Sequence, residues 1–228
     1  MASRLLLLFV TLFSNTAVEA LWPQPRYIMT GSKALRLHEG FTITVTSNPC
    51  PDLSAAIQWT TDYLRTDRLG RLVVGRGSAD ASVIKDAAQL RTMTVTLGLG
   101  AKTIAEGATA PLERRDESYA LLVPADGSPA ILTANSALGV YRGLTTFSQL
   151  WYTHQQDIYA LDLPITIEDS PVYVRSFLFI FFCSTPVDCA LQPYRGLMLD
   201  TARNFFPIDV IKRQLDAMSW VKVCTPDV

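Results

Sequence analysis

The sequence predicts an α+β domain over residues 21–168, with helices covering a sheet, followed by one strand and one helix of an α/β layout. Alternating segments rich in β-branched residues predict the strands, and apolar residues at helical spacing predict helices among them. The chain has 228 residues, of which 49% are hydrophobic and 18% charged, so it is too apolar to be disordered. Its length suits one domain or one and a half.

The first 20 residues carry, in order, the features of a secretory signal peptide. Arg4 precedes an apolar run over residues 5–13, and small residues stand before a cleavage site after Ala20. The run is too short to span a bilayer, and the alternative is a buried N-terminal strand or helix. We therefore expect secretion, either out of the cell or to a vacuole or lysosome through the secretory pathway.

Charge and composition argue against several classes of partner. The net charge is −1, and it stays −1 without the leader because Arg4 and Glu19 leave together. Binding to nucleic acid or to an anionic membrane would need an excess of positive charge, so we expect neither. His38 and His154 are far apart in sequence and no CxxC pair occurs, so we expect no metal and no cofactor.

Four segments of the first domain predict strands. Residues 41–45 and 92–99 alternate and are rich in Thr, Val and Ile. Residues 118–123 and 130–134 alternate in the same way, and an Asp-Gly turn at 126–127 separates them. This spacing predicts that the second pair of strands forms a β-hairpin.

Two helices are predicted between and after these strands. The first covers residues 53–64, with Asp52 or Ser54 as its N-cap. The second covers residues 136–151. Most of its buried face is expected from Leu138, Tyr141, Leu144, Thr145, Ser148 and Leu150.

A linker at residues 167–171 separates this domain from a second unit. Residues 195–200 form a short apolar run that ends in an aspartate, which is typical of a buried strand. Pro207 then opens a helix that continues to about Lys222. One strand and one helix in this order are the repeating unit of an α/β fold.

Three segments together resemble a known family. They are LWPQP at 21–25, DESY at 116–119 with RGLTTFSQL at 142–150, and PYRGLMLDTARNFF at 193–206. They are similar to eukaryotic β-N-acetylhexosaminidases of glycoside hydrolase family 20, and look closest to fungal members. The family usually has Glu at the position of Thr145.

The resemblance implies a fold and an activity. The family's non-catalytic α+β domain would cover residues 21–168, and residues 193–222 would begin its catalytic (β/α)8 TIM barrel. Such enzymes release terminal N-acetylglucosamine or N-acetylgalactosamine from glycans or chitin oligomers. The substrate's own acetamido oxygen is the nucleophile, a Glu is the acid, and an adjacent Asp orients the acetamido group. Full-length members form dimers through the barrel.

The resemblance assigns one functional position in this chain. Arg195 matches the strand-one arginine that binds hydroxyls of the terminal sugar, and the alternative is an ion pair with a barrel carboxylate. We expect Asp200 and Arg203 to be architectural. Trp22, Trp151 and Trp220 are expected to be packing residues. The pair at 116–117 matches the first-domain motif and is interpreted as the solvated start of a strand.

The family's catalytic Asp-Glu pair is expected beyond Val228. A TIM barrel needs about 250 residues, whereas 36 residues run from Pro193 to Val228. The chain as written is therefore predicted to be inactive. The alternative is a secreted, non-catalytic domain that binds glycan or a full-length hexosaminidase subunit. A membrane tether at residues 176–183 is disfavoured because that segment is too short.

Residues 174–192 interrupt the family pattern, in which residues 169–173 would run directly into the segment that begins at Pro193. We interpret these 19 residues as a retained intron, because Val174-Arg175 and Gln192 can be encoded as a splice donor and acceptor. Residues 223–228 are interpreted as an aberrant tail that begins at a second donor. Cysteines 183, 189 and 224 lie in these tracts, which leaves Cys50 as the authentic cysteine.

Overall fold

In the computed structural model, the described residues are 21–46, 49–66, 77–98, 100–111, 114–170, 196–198, 205–220, 222 and 225–227. The predicted leader, the insert at 174–192 and Arg195 lie outside these ranges.

The first domain is built on a six-stranded mixed sheet with the order β1-β2-β4-β3-β6-β5, in which β6 also pairs with β1. The strands are β1 (Tyr27–Val45), β2 (Ala88–Leu97), β3 (Tyr119–Val123), β4 (Ala130–Ala134), β5 (Tyr152–His154) and β6 (Asp157–Asp169). β1–β2 and β2–β4 are parallel, and the other pairs are antiparallel.

β1 is long because it changes partners along its length. Its first half runs antiparallel to β6, from Tyr27 opposite Glu168 onward, and its second half runs parallel to β2 as far as Val45 opposite Val95. The register along β2 shifts between Leu37 and Thr42. The strand thereby joins two parts of the sheet that are distant in sequence.

Within the described residues, four helices accompany this sheet: α1 (Pro51–Thr66), α2 (Ala81–Lys85), α3 (Ile104–Thr109) and α4 (Ala137–Gln149). Ser136 caps α4, since its side chain accepts a hydrogen bond from the Gly139 N–H at 2.8 Å. α4 contacts β3, β4, α1 and α3, so it is buried along almost its whole length. Phe147 on α4 stacks on Phe41 of β1 with ring centroids 5.7 Å apart.

The described part of the second unit contains β7 (Gly196–Met198), α5 (Ile208–Trp220) and β8 (Thr225–Asp227), with β7 and β8 parallel. The helix predicted after Pro207 is thus confirmed. Met218 is buried, whereas Ile208 is 70% exposed and Leu215 is 44% exposed. Much of the apolar surface of this helix therefore faces solvent. β8 was not predicted, and it gives part of the C-terminal tail a regular structure.

The four predicted strands, the two predicted helices and the hairpin of the first domain are confirmed, although residues 41–45 are only the end of β1. In the hairpin, Leu122 lies opposite Ile131. The predicted linker is wrong at its start, because residues 167–169 are the end of β6. β5 and β6 were missed. In β6, Tyr159 and Ala160 are both buried and Asp162 has a φ of 63°, so the simple alternation of a strand is broken.

Candidate functional site

The predicted sugar-binding residue, Arg195, directly precedes β7 and lies outside the described residues, as do Asp200 and Arg203. The described residues instead show where the family-like segments of the first domain meet. Two of these segments, 21–25 and 116–119, contact the third, 142–150, which forms most of α4. The C-terminal end of α5 contacts the same helix. This junction contains most of the buried polar side chains of the domain.

Glu117 and Arg142 form a buried ion pair. The Arg142 Nε donates to the Glu117 Oε2 at 3.0 Å, and the two side chains are 10% and 1% exposed, respectively. The interpretation of residues 116–117 as solvated is therefore wrong for Glu117. Asp116 is exposed and accepts a hydrogen bond from the Ser118 N–H at 3.0 Å. The two adjacent acids ahead of β3 therefore differ in burial and in partner, so a sequence motif of two acids need not form one site.

Lys222 places a buried ammonium group among three elements of the first domain. Its Nζ donates to the Thr146 Oγ1 at 2.9 Å and to the Tyr119 Oη at 3.2 Å, and lies 3.6 Å from the Asp169 Oδ2. Burial, and then the negative charge of Asp169, raises the pKa of Tyr119 well above its usual range. The phenol therefore stays neutral, and its oxygen lies 2.6 Å from the Thr146 hydroxyl.

The amide of Gln149, the last residue of α4, binds two segments that are far away in sequence. Its Oε1 accepts from the Trp22 N–H at 2.9 Å, and its Nε2 donates to the Trp22 carbonyl at 2.9 Å. The same Nε2 donates to the Trp220 carbonyl at 3.1 Å. Gln149 therefore connects the start of the first domain to the end of α5.

The three tryptophans predicted to pack behave differently. Trp151 is buried against Phe147, with centroids 5.4 Å apart, and Trp220 lies edge-on to the Tyr63 ring at 4.0 Å. The prediction is confirmed for these two. It is wrong for Trp22, whose side chain is 66% exposed. The 21–25 segment is held by the Trp22 backbone and by the buried side chain of Leu21, so the indole is left outside.

Polar side chains line two of the grooves on the described part of the first domain. One, of about 290 Å³, is lined by polar groups that include Arg36, His38 and Arg65. The other, of about 620 Å³, lies between Tyr27, Asn135, Glu168 and Asp169 at one end of the sheet.

Within the described residues, neither groove is lined by an Asp followed directly by a Glu, the order that the resemblance implies for a catalytic pair. Glu168 and Asp169 adjoin the larger groove, but Asp169 is engaged by Lys222 and by the Arg26 N–H. Within the described ranges, no group of three or more His, Cys, Asp or Glu residues could hold a metal ion. Among the same residues, no helix is long and apolar enough to cross a membrane.

The sequence alone could not locate this junction. Lys222 and Tyr119 are separated by 103 positions, and Gln149 and Trp22 by 127. The resemblance did contain a weak signal, because Glu117, Arg142 and Gln149 all belong to the family-like segments. The predicted buried face of α4 nevertheless omitted Arg142 and Gln149. A polar residue inside such a segment on a largely buried helix needs a buried partner.

Comparison with known proteins defines the class to which this fold and junction belong. Residues 192–225 match the catalytic domain of glycosyl hydrolase family 20, so the chain carries part of a glycoside hydrolase. Residues 21–150, more than half of the chain, match the family described as beta-acetyl hexosaminidase like. The chain belongs to this β-N-acetylhexosaminidase family.

Relatives of the chain include proteins from animals and plants. The beta subunit of β-hexosaminidase from Felis catus is 32% identical over 92% of this chain and 34% of its own length. β-Hexosaminidase 3 from Arabidopsis thaliana is 28% identical over 94% of this chain and 36% of its own length. A chitooligosaccharidolytic β-N-acetylglucosaminidase from Bombyx mori is 40% identical over 48% of this chain and 16% of its own. The chain thus spans about a third of its relatives, or less.

Solved bacterial structures share the fold. The chitobiase of Flavobacterium johnsoniae superposes with a TM-score of 0.55 at 22% identity, covering 90% of this chain and 26% of that one. The exo-β-N-acetylglucosaminidase of Vibrio harveyi gives a TM-score of 0.53 at 18% identity, covering 91% and 25%. The arrangement of strands and helices is therefore one that is found in larger glycoside hydrolases.

Proposed function

We propose that the chain is the N-terminal portion of a secreted β-N-acetylhexosaminidase that releases terminal N-acetylglucosamine or N-acetylgalactosamine from glycans or chitin oligomers. The observation that carries the proposal is the order of the two family matches, 21–150 and then 192–225, the second of which includes the PYRGLMLDTARNFF segment. The chitooligosaccharide activity in the name of the silkworm relative supports chitin fragments as substrates. A fungal origin and a homodimeric full-length enzyme belong to the same proposal.

The proposed chemistry is retaining hydrolysis assisted by the substrate. The acetamido oxygen attacks the anomeric carbon as the bond to the leaving oxygen breaks, a Glu protonates that oxygen, and water later opens the oxazolinium ion. In this chain Arg195 would donate two hydrogen bonds to vicinal hydroxyls of the terminal sugar. The Glu and the adjacent Asp would lie beyond Val228, and no cofactor enters the reaction.

We expect the 228-residue polypeptide itself to be inactive. In the described first domain, the buried Glu117 is bound to Arg142, and the half-buried Asp169 is bound to Lys222. A general acid must be free to approach the leaving oxygen, which these paired groups are not. The test is hydrolysis of a chromogenic β-N-acetylglucosaminide by the purified chain, and measurable turnover would contradict the expectation.

We propose that residues 1–20 are removed and that the chain is secreted, either out of the cell or to a vacuole or lysosome. Leu21 is 6% exposed, and the Trp22 N–H is bound by Gln149, so the ordered fold includes the first residues after the proposed cut. Mass spectrometry of the exported protein tests this. An N-terminus at Leu21 supports the proposal, and a retained Met1 contradicts it.

We also propose the division into a non-catalytic domain at 21–168, a linker with an insert at 169–192, and a barrel start at 193–222, followed by the tail at 223–228. The match to the catalytic domain begins at residue 192, which supports the start of the barrel there. Sequencing of the mature mRNA tests whether 174–192 and the tail are retained introns. A spliced message that still encodes 174–192 would contradict the intron hypothesis.

The alternative function, a domain that binds glycan without cleaving it, is favoured by the larger groove. Its exposed Tyr27 ring offers an apolar face for a sugar, and Asn135 and Glu168 offer hydrogen-bonding groups to hydroxyls. Titration of the chain with chitotriose by NMR tests this, with Tyr27→Ala as the variant and Val83→Ala, which is equally exposed but lies outside the groove, as its control. Binding lost only in Tyr27→Ala supports it, and no binding by the unmodified chain rejects it.

A further inference from the structure

We propose that the first domain carries a docking surface for the C-terminal end of α5, and that this surface sets the position of the β7–α5–β8 unit. The surface, called here the α5 clamp, consists of Trp59, Tyr63, Tyr119, Thr146, Gln149 and Asp169. It binds Trp220 and Lys222. The proposal concerns how the two units are held together, so it is independent of whether the longer protein cleaves glycans.

The first part of the clamp is a cap for the helix terminus. The last four carbonyls of an α-helix have no partner inside the helix, and the carbonyl of Trp220, the last residue of α5, is one of them. The Gln149 amide donates to it, while the other two hydrogen bonds of the same amide go to Trp22. Because all three bonds come from one rigid group, the end of α5 is placed relative to both α4 and the 21–25 segment.

The second part is the conformation of Lys222. Its φ of 55° is left-handed, and its N–H donates to the Ser219 carbonyl at 3.3 Å, so it occupies the position after a helix where glycine is favoured. A lysine accepts backbone strain there that glycine would avoid. A glycine, however, has no ammonium group. The ammonium group of Lys222 contacts Thr146, Tyr119 and Asp169, and the lysine side chain is only 3% exposed.

The third part is apolar. The Trp220 ring lies edge-on to the rings of Trp59 and Tyr63 on α1, with centroids 5.3 and 4.0 Å away. Aromatic pairs in this geometry are favourable beyond the area that they bury. The clamp therefore combines a hydrogen-bonded cap, a paired charge and an aromatic contact, contributed by α1, β3, α4 and β6.

The α5 clamp also affects the position of β7, which directly follows the proposed sugar-binding residue Arg195 in the sequence. β7 precedes α5 and pairs with β8, which follows Lys222 closely in sequence. An α5 that is fixed at its C-terminal end therefore restricts where β7 can lie. Arg195 directly precedes β7 in the sequence, so the clamp would act as its positioning device through the backbone.

The test is hydrogen exchange, read by mass spectrometry, on the full 228-residue chain. In Lys222→Gly the helix end gains the residue that it favours but loses the ammonium group, and in Gln149→Met the cap is lost at similar side-chain volume. We expect exchange across α5 to rise about tenfold in each variant, which corresponds to the loss of a buried hydrogen bond. Exchange in β3 and β4 should stay within about twofold of the unmodified chain.

Matched controls change the same residue types where they are exposed on α5, namely Lys212→Met and Gln214→Met, and both should leave exchange unchanged. Slower or unchanged exchange of α5 in Lys222→Gly would overturn the proposal, because Lys222 would then be only a helix terminus. A parallel rise in β3 and β4 would also overturn it, since these residues would then serve the core of the first domain alone.

Discussion

The Arg142 Nε lies 3.0 Å from the Oε2 of Glu117, and the carboxylate-bearing side chain is 1% exposed. This pair joins α4 to the residues that lead into β3, and both residues belong to segments that resemble the hexosaminidase family. Two charges removed from water stabilise a fold only while they remain paired. The resemblance at these positions is therefore explained by architecture and not by catalysis.

Replacing Arg142 with Met should lower the free energy of unfolding by about 3–5 kcal/mol, because the Glu117 carboxylate would remain buried without its partner. Urea denaturation followed by circular dichroism measures the change. The double variant Glu117→Leu with Arg142→Met removes both charges and should recover much of the loss. A single variant as stable as the unmodified chain would show that the pair is not needed.

Replacing Gly139 with Ala should destabilise the protein although alanine favours helices. A Cβ at this position of α4 would clash with the backbone oxygen of Ser118, which cannot move away without disturbing β3. Overpacking of this kind costs about 1–3 kcal/mol. Thermal unfolding measures it, with the exposed α1 substitution Gln58→Ala as a control that changes stability by less than about 0.5 kcal/mol. An unchanged melting temperature for Gly139→Ala would contradict this packing.

The N-terminus of α3 should lose stability in acid. Glu106 accepts hydrogen bonds from the N–H and the hydroxyl of Thr103, both at 3.0 Å, and these bonds lower the pKa of Glu106. A lowered pKa means that the ionised form stabilises the fold above the ordinary carboxyl range of about 4, and that this contribution is lost as the pH falls through the folded value.

Glu106→Gln should accordingly flatten part of the decline in stability between about pH 5 and pH 3, measured by urea denaturation at each pH. Thr103→Ala removes the N-cap and should cost about 1 kcal/mol at neutral pH. The exposed substitution Glu39→Gln serves as the control. If the pH dependence of Glu106→Gln matches that of the unmodified chain, the capping box does not contribute.

The exposed apolar side chains of α5 should make the 228-residue chain prone to association. Ile208 and Leu215 are 70% and 44% exposed, so replacing them with Ser and Gln removes apolar surface without opening the core. We expect less aggregation by light scattering and a change in stability below about 0.5 kcal/mol. Lys212→Ser, on the same helix, should not alter aggregation. Equal scattering by all three proteins would reject this surface as the cause.

Local patterns of the sequence were sufficient for much of the first domain. The hairpin of β3 and β4 follows from alternation and an Asp-Gly turn, and α4 follows from the helical spacing of its apolar residues. Such signals lie within a few residues of one another, so they can be detected without knowing the fold.

The remaining features depend on partners that are distant in sequence. β6 pairs with both β1 and β3, and its irregular backbone at Asp162 hides the alternation. The burial of Glu117 requires Arg142, and the burial of Lys222 requires Tyr119 and Thr146. No local pattern marks a charged residue as buried, because its burial is favourable only once the partner is in place.

The most direct measurement is an activity assay on the purified 228-residue chain beside the longer product that an open frame beyond Val228 would encode. Both are incubated with a chromogenic β-N-acetylglucosaminide, and released chromophore is measured over time. We predict hydrolysis by the longer product and none by the 228-residue chain. Hydrolysis by the 228-residue chain, or none by a folded longer product, would contradict the proposal that this chain is the non-catalytic portion of a β-N-acetylhexosaminidase.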